Sequence, residues 1–135
     1  RINTAFEDVM RACAVRPDGS ESGWIMEEMI SAYTKLHQLG FAYSVESWRN
    51  KKLVGGVYGI AIGGLFAAES MFYQESNASK AALAALVERM KERGFTLLDC
   101  QMATEITKRM GAIEISRAEY LRKLEKALSQ DCKFY

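Results

Sequence analysis

The sequence predicts an α/β (α+β) protein in which a mostly antiparallel, mixed sheet is flanked by helices. Three observations predict this class. Apolar residues recur at helical spacing near both ends of the chain, a Gly-rich apolar segment is interrupted by Gly63-Gly64, and the apolar stretch "FTLLDCQ" follows a third helical segment. Helical spacing indicates amphipathic helices, and paired glycines between two apolar runs indicate a tight hairpin.

Two helices are expected before the sheet. The first begins at the capping-box pattern Thr4-x-x-Glu7 and is expected to bury Phe6, Val9, Met10 and Cys13. The second begins near Ser22 and ends at Gly40, because glycine is the residue that most often follows the last helical turn. Its apolar face is expected to comprise Met26, Met29, Ile30, Tyr33 and Leu36.

An antiparallel meander of three strands is expected next, over residues 41–48, 53–62 and 65–72. The middle strand contains Gly55, Gly56 and Gly59, which indicates that a ligand or another backbone approaches it closely. The uncharged run Leu53–Ala68 has sixteen residues and five glycines. A transmembrane helix needs about 20 apolar residues, so this run is not predicted to cross a membrane.

The rest of the chain predicts two longer helices with short elements between them. A helix over residues 78–93 is followed by a strand over 95–101, a short helix over 104–110 and a brief strand over 112–115. The last helix opens with a second capping-box pattern, Ser116-x-x-Glu119. The two longer helices are expected to bury Leu83, Leu86, Val87, Met90, Tyr120, Leu121, Leu124 and Leu128.

A meander followed by a helix and a further strand is the element order of the acyl-CoA N-acyltransferase-like (GNAT-like) fold, which we predict for residues 1–135 as a single domain.

A chain of 135 residues can bury a core without disulfides. Its net charge of +1 gives no global basic field. Three cysteines without metal-type spacing fit reduced thiols in a cytosolic protein. Because the first residue is Arg1, we expect a fragment or a shortened form of a longer protein.

The strand "FTLLDCQ" carries the most informative polar residues. Because side chains alternate along a strand, Asp99 and Gln101 are expected to point in the same direction. Glu69 is expected to share a strand face with Leu65, Ala67 and Met71. A carboxylate in an apolar strand is either hydrogen-bonded for structure or functional, and the residues alone leave both alternatives open. For Glu69, a solvent-facing edge position is equally compatible with the sequence.

Other groups of residues have two interpretations each. The loop "ESNASKAAL" could bind an anion at a helix start with help from Lys80, or it could simply cap the helix. The cluster Arg49, Lys51 and Lys52 could be a basic patch or solvated charges. No Ser-His-Asp set and no metal site can be assembled, and no cofactor is predicted. Aromatic side chains that could form the core or line a pocket are Trp24, Tyr43, Trp48, Tyr58, Phe66, Phe72 and Tyr73.

Several segments together resemble one known family. In order along the chain they are "GWI", "AYTKLHQLGFAYSVESW", "LVGGVYGIAIGGLFAAESMF", "NASKAAL", "LLDCQ" and "MGAIEISRAEYL". These motifs, at matching spacing over residues 3–128, resemble leucyl/phenylalanyl-tRNA–protein transferases. The resemblance implies the GNAT-like fold and a transfer of Leu, Phe or Met from aminoacyl-tRNA to proteins with an N-terminal Arg or Lys, which marks those proteins for degradation by the N-degron pathway.

The resemblance also implies roles for individual residues. Catalysis is assigned to Asp99, Gln101 and Glu69. Residues expected to hold the aminoacyl group are Trp24, Phe66, Met71, Ser70 and Tyr58. Separately from the resemblance, Lys80, Arg49 and Lys52 are expected to contact tRNA phosphates because of their positive charge.

The remaining expectations concern partners and alternatives. The protein is expected to be a cytoplasmic monomer without a membrane partner, and to lack the family's N-terminal region. Two alternative functions are an acetyl-CoA-dependent N-acetyltransferase and a non-catalytic aminoacyl-tRNA-binding module. The first lacks a recognisable phosphate-binding loop, because "QESNASKA" occupies the position before the third helix.

Overall fold

The computed structural model describes all 135 residues. Five helices and four strands follow one another in the chain. They are α1 (Phe6–Cys13), α2 (Glu27–Gln38), β1 (Ala42–Arg49), β2 (Lys52–Ile62), β3 (Leu65–Tyr73), α3 (Ala78–Glu92), β4 (Leu97–Asp99), α4 (Glu105–Arg109) and α5 (Arg117–Leu128).

The four strands form one mixed sheet in the order β1-β2-β3-β4. β1, β2 and β3 are an antiparallel meander, and β4 lies parallel to β3 after the α3 crossover. The predicted meander and the predicted mixed sheet between helices are therefore confirmed. β4 pairs with β3 through Leu65–Leu97, Phe66–Leu98 and Ala67–Asp99, which places Asp99 at the end of an edge strand.

Two apolar clusters cover the two faces of the sheet. The first joins α1 and α2 to residues such as Tyr58 and Phe72, and the second joins α3 to residues such as Val57 and Phe66. Neighbouring residues Val57 and Tyr58 face opposite clusters, as alternation along a strand requires. Phe134, near the chain end, is also buried in the second cluster.

The Gly-rich strand β2 is approached closely by the protein's own backbone. A Cβ at Gly55 would lie 2.6 Å from the Cβ of Ala78 at the start of α3, and a Cβ at Gly59 would lie 2.2 Å from the carbonyl oxygen of Ala67. Real Cβ atoms do not approach other atoms so closely, so these positions require glycine. The predicted close approach is confirmed, and protein atoms make it.

The β2–β3 hairpin connects the sheet to α5. Gly63 has a φ of 55°, a left-handed conformation that favours glycine, and the N–H of Gly64 donates to the carbonyl oxygen of Ala127 at a distance of 2.7 Å. The predicted hairpin at Gly63-Gly64 is confirmed, and it fixes the last turn of α5 beside the sheet. None of the helices is long and apolar enough to cross a membrane.

The N-terminal part differs from the expectation in two respects. The predicted capping box Thr4-x-x-Glu7 is wrong, because Ala5 is the residue that precedes α1. The Thr4 hydroxyl donates a hydrogen bond to the Glu46 carboxylate of β1 instead. A tertiary partner has replaced the local one. The second helix begins at Glu27, five residues after Ser22, so the segment before it is a turn region.

The C-terminal part also differs. The strand predicted over residues 112–115 does not form. Val87, which the sequence predicts to be buried, is half-buried. On α5 the Ser116 cap is present, since its hydroxyl accepts from the Glu119 N–H at 3.2 Å. Leu121 and Leu128 are exposed, because a single face of α5 contacts the sheet and only Ala127 is fully buried.

Candidate active site

Asp99 accepts two hydrogen bonds at the end of β4. One carboxylate oxygen, Oδ1, accepts from the backbone N–H of Gln101 at 2.7 Å, and the other, Oδ2, accepts from the Tyr120 hydroxyl at 2.6 Å. A carboxylate offers about four lone-pair positions, so each oxygen can accept a further hydrogen bond. Asp99 is half-buried, and these two contacts fix its orientation.

Gln101 lies beyond the strand. β4 ends at Asp99, and Gln101 has a φ of 63°, so the predicted common strand face of Asp99 and Gln101 is wrong. An Asx-type turn, in which the Asp99 carboxylate accepts the N–H two residues on, brings the two residues together instead. The side-chain amide of Gln101 donates to Glu69 Oε2 at 3.2 Å.

Glu69 occupies a β-bulge. The register pairs Tyr58 with Ser70 and Gly59 with Ala68, which leaves Glu69 as the extra residue of β3. A bulge interrupts alternation, so the predicted common face of Glu69 and Met71 is wrong. Met71 packs against the α3-side cluster, whereas Glu69 lies beside Tyr33 of α2.

Two tyrosines report the electrostatic effect of Glu69. Burial, followed by the charge of Glu69 and a hydrogen bond to it, raises the pKa of Tyr33. The pKa of Tyr58 is raised by burial first and also by nearby Cys13, Tyr33 and Glu69. Because burial disfavours the phenolate first of all and its charge would add to that of Glu69, both phenols stay protonated at neutral pH.

Tyr120 is a residue that sequence reasoning missed as a functional candidate, because its position on α5 predicted only an apolar contact. Its hydrogen bond to Asp99, together with burial and the charge of Asp99, raises its pKa. No local signal could have found it, because its partner Asp99 lies 21 residues away on β4. The connected set Tyr120, Asp99, Gln101 and Glu69 is called the polar chain below.

A cavity of about 830 Å³ opens beside the polar chain. Its walls come from α3, β4, α4, the segment 110–115 and α5, and twelve of its twenty lining residues are hydrophobic. Leu83 and Leu98 contribute apolar surface, and Asp99, Gln101 and Tyr120 contribute polar groups. A concave, mostly apolar space with a few converging polar groups is the usual form of a small-molecule site.

The five residues predicted to hold the aminoacyl group do not line this cavity. Phe66 and Tyr58 are completely buried, and the Phe66 ring packs 5.0 Å from that of Phe134. Trp24 is half-exposed and Met71 is half-buried. Ser70 lies beside the Cys13 thiol, whose pKa burial raises to about 12. Their predicted roles stay predictions.

Two of the residues predicted to contact tRNA, Arg49 and Lys52, lie at the opposite end of the sheet from Asp99. The β2 partners of Ala67, which pairs with Asp99, and of Tyr73 are Ile60 and Gly55, and these lie five residues apart, which at about 3.3 Å per residue is about 17 Å. Arg49 and Lys52 pair with each other beyond that end, and Lys80 lies in the first turn of α3. Arg49 also forms an ion pair with Glu75 at 2.9 Å.

Comparison with known proteins identifies the family. The sequence model of the family described as leucyl/phenylalanyl-tRNA protein transferase matches residues 1–125. A leucyl/phenylalanyl-tRNA–protein transferase of Chlorobaculum parvum is 48% identical over 99% of this chain and 69% of its own length. One of Gloeobacter violaceus is 51% identical over 99% of this chain and 67% of its own length.

A third relative has the same name and is longer. The leucyl/phenylalanyl-tRNA–protein transferase of Phenylobacterium zucineum is 48% identical over 100% of this chain and 61% of its own length. The chain thus spans 61–69% of the length of these three relatives. Both the family model and the relatives confirm the resemblance that the motifs predicted, and the chain belongs to the leucyl/phenylalanyl-tRNA–protein transferase family.

Proposed function

We propose that this chain transfers Leu, Phe or Met from aminoacyl-tRNA to the α-amine of an acceptor protein that begins with Arg or Lys. The observation that carries this proposal is the polar chain at the mouth of the apolar cavity. The cavity suits an apolar aminoacyl side chain, and the carboxylates beside it suit an amine nucleophile. The family to which the chain belongs is one of aminoacyltransferases.

The chemistry requires positioning and the removal of one proton. The amine nitrogen attacks the ester carbonyl carbon, the C–N bond forms, and the C–O bond to the ribose breaks. An aminoacyl ester is already activated, so correct positioning alone can supply about 7–11 kcal/mol in favourable cases. The amine proton passes to the ribose oxygen. Asp99 can carry that proton, because both of its oxygens retain accepting capacity beside their present hydrogen bonds.

The charge of the site favours a cationic acceptor. Asp99 and Glu69 are linked through Gln101, and neither carboxylate forms an ion pair with a Lys or Arg side chain. Carboxylates without an ion-pair partner attract cations, most of all at Glu69, which lies outside the cavity that Arg117 and Lys123 line. An acceptor beginning with Arg or Lys would bring one side-chain cation and one α-ammonium, whose pKa is about 8, to this place.

We propose in addition that residues 1–135 adopt the GNAT-like fold as one catalytic domain, and that the chain acts as a monomer in the cytoplasm. The meander, the α3 crossover and the parallel β4 support the fold. All three cysteines are free, which is compatible with a reducing compartment. We also propose that Trp24, Phe66, Met71, Ser70 and Tyr58 contribute to the substrate site from outside the cavity, which none of them lines.

A transfer assay tests the proposed function directly. We expect the chain, given leucyl-, phenylalanyl- or methionyl-tRNA, to add one amino-acid residue to a peptide beginning with Arg, detected by mass spectrometry. A peptide of the same sequence beginning with Glu should remain unmodified, because two carboxylates would repel its side chain. Tight binding of aminoacyl-tRNA without transfer would favour a non-catalytic binding module, and acetylation by acetyl-CoA would favour an N-acetyltransferase.

Tyr120→Phe tests the positioning of Asp99. Loss of a hydrogen bond to a charged group costs about 1.5–3 kcal/mol, so we expect the transfer rate at saturating substrates to fall by about 10- to 150-fold. KM for aminoacyl-tRNA should stay constant, since the phenyl ring retains its packing. Tyr43→Phe is the matched control, because the Tyr43 hydroxyl donates to the Gly40 carbonyl away from the site. Equal rates for Tyr120→Phe and the wild type would remove Tyr120 from the mechanism.

A further inference from the structure

One face of α5 brings two cations to the cavity that Asp99 also lines. Tyr120 donates to Asp99 Oδ2 at 2.6 Å, which fixes α5 against the end of β4. Arg117 lies three residues before Tyr120 and Lys123 lies three residues after it. Side chains three residues apart on a helix are neighbours, with about 5–6 Å between Cβ atoms. Both cations line the same cavity as Asp99.

These two cations have no carboxylate partner. Arg117 and Lys123 are exposed and form no ion pair, whereas Arg122 on the same helix pairs with Glu119 at 3.8 Å. Glu114 also lines the cavity and forms no ion pair. The ionisable groups around the cavity therefore include two free cations on α5, together with Asp99 and Glu114 on other segments.

The donor substrate of the proposed function has a phosphate close to its reactive ester. The ester is attached to the terminal ribose, and the nearest phosphodiester is bonded to the 5′ oxygen of that same ribose. An ester carbonyl held at Asp99 would place this phosphate about one ribose away. Arg binds phosphate with two parallel N–H groups, and Lys binds it as a point charge.

We propose that Arg117 and Lys123 bind the phosphodiesters at the single-stranded 3′ end of aminoacyl-tRNA and hold the ester at Asp99. This inference rests on the proposed function. Of the cations predicted from sequence, Arg49 and Lys52 lie at the far end of the sheet, and they remain predicted contacts for more distant parts of the tRNA. Lys80 lies one helical turn before Leu83, which lines the cavity, and it remains a predicted contact as well.

Two donors that differ in phosphate content test the proposal. Arg117→Gln and Lys123→Gln are assayed with leucyl-tRNA and with leucyl-adenosine, which carries the same ester and no phosphate. We expect kcat/KM with leucyl-tRNA to fall about tenfold for each variant, and kcat/KM with leucyl-adenosine to stay unchanged. In single-strand binding, each lost contact should reduce the slope of log K against log salt by about 0.7.

Arg122→Gln and Lys126→Gln are matched controls, because they remove the same charges from a part of α5 that does not line the cavity. Equal losses in the control variants would overturn the proposal in favour of a general charge effect. Equal losses with leucyl-adenosine would overturn it in favour of a role in folding or chemistry. If the wild type transfers from neither donor, the proposed function fails, and the salt slopes of tRNA binding by the same variants still decide the phosphate contact.

Discussion

Replacing Asp99 by Asn is expected to lower the rate of aminoacyl transfer by about 10²- to 10⁴-fold, the usual contribution of a positioned proton acceptor. Asn has nearly the same shape as Asp and removes the charge. Its carbonyl oxygen can still accept the Gln101 N–H that Asp99 Oδ1 now accepts at 2.7 Å. Its amide can donate to the Tyr120 hydroxyl, which is able to reverse its role and accept. Loss of activity should therefore occur in a folded protein.

Two measurements separate a catalytic Asp99 from a structural one. The first is the single-turnover rate with saturating leucyl-tRNA and an Arg-initiated peptide, and the second is the free energy of unfolding in urea. Asp131→Asn is the control, because Asp131 is an exposed carboxylate near the chain end. A variant with full activity per folded molecule and a stability lower by about 1–3 kcal/mol would assign Asp99 a structural role.

The sheet was predictable because its signals are local. Alternation along β1 and β3, and the pair Gly63-Gly64 between two apolar runs, are properties of a few adjacent residues. The family resemblance used the same kind of information over more segments. Each of these signals is complete within the stretch of chain that carries it, and in the sheet no tertiary contact replaces it.

The details of the site were less predictable, because they depend on exceptions to a regular pattern. An alternating pattern does not show where a strand ends, and β4 stops at Asp99 before it reaches Gln101. The bulge at Glu69 depends on the count of residues in β2 opposite it. The hydrogen-bond partner of Tyr120 lies 21 residues away. The position of α5 relative to β4 is a property of the fold and is absent from the pattern of either element.

The first helix shows how a tertiary contact can replace a local signal. Thr4 and Glu7 have the spacing of a capping box, but the Thr4 hydroxyl bonds Glu46 of β1. Glu46 also accepts the backbone N–H groups of Thr4 at 2.8 Å and Ala5 at 2.9 Å. These groups immediately precede α1, where N–H groups lack helical partners. The buried Glu46 carboxylate of β1 therefore accepts the N–H groups that precede α1, whereas the local pattern predicts that Thr4 and Glu7 cap this helix.

Of the substitutions considered, Glu46→Ala is consequently expected to lower the free energy of unfolding most, by about 3 kcal/mol or more. The side chain is only 4% exposed. Besides the three groups of Thr4 and Ala5, it accepts from the Ser44 hydroxyl at 2.8 Å and from Trp48 Nε1 at 3.0 Å. Each buried donor left without a partner costs about 1–3 kcal/mol. Urea unfolding measures the loss, and the exposed residue Glu125 provides the control Glu125→Ala.

The same carboxylate predicts a dependence on pH. Burial alone would raise the pKa of Glu46, but hydrogen bonds from Thr4, Ala5, Trp48 and Ser44 outweigh it and hold the pKa below its ordinary value. Unfolding releases these bonds and returns the pKa to about 4.3. The unfolded state therefore binds the proton more tightly, and the stabilisation by Glu46 is complete above that value and is lost as pH falls through the lower, folded-state pKa.

The free energy of unfolding of the wild type and of Glu46→Gln, measured at pH 7 and at successive pH values below 4.3, tests this direction of the pH dependence. The difference in unfolding free energy should be large at pH 7 and should shrink with acidification, because a protonated Glu46 resembles the amide. A difference that stays constant with pH would show that the folded protein does not favour the charged form. Transfer activity per folded molecule should be unaffected at pH 7, because β1 and β4 are opposite edges of the sheet. Stability and catalysis thus depend on two different carboxylates, Glu46 at one edge and Asp99 at the other.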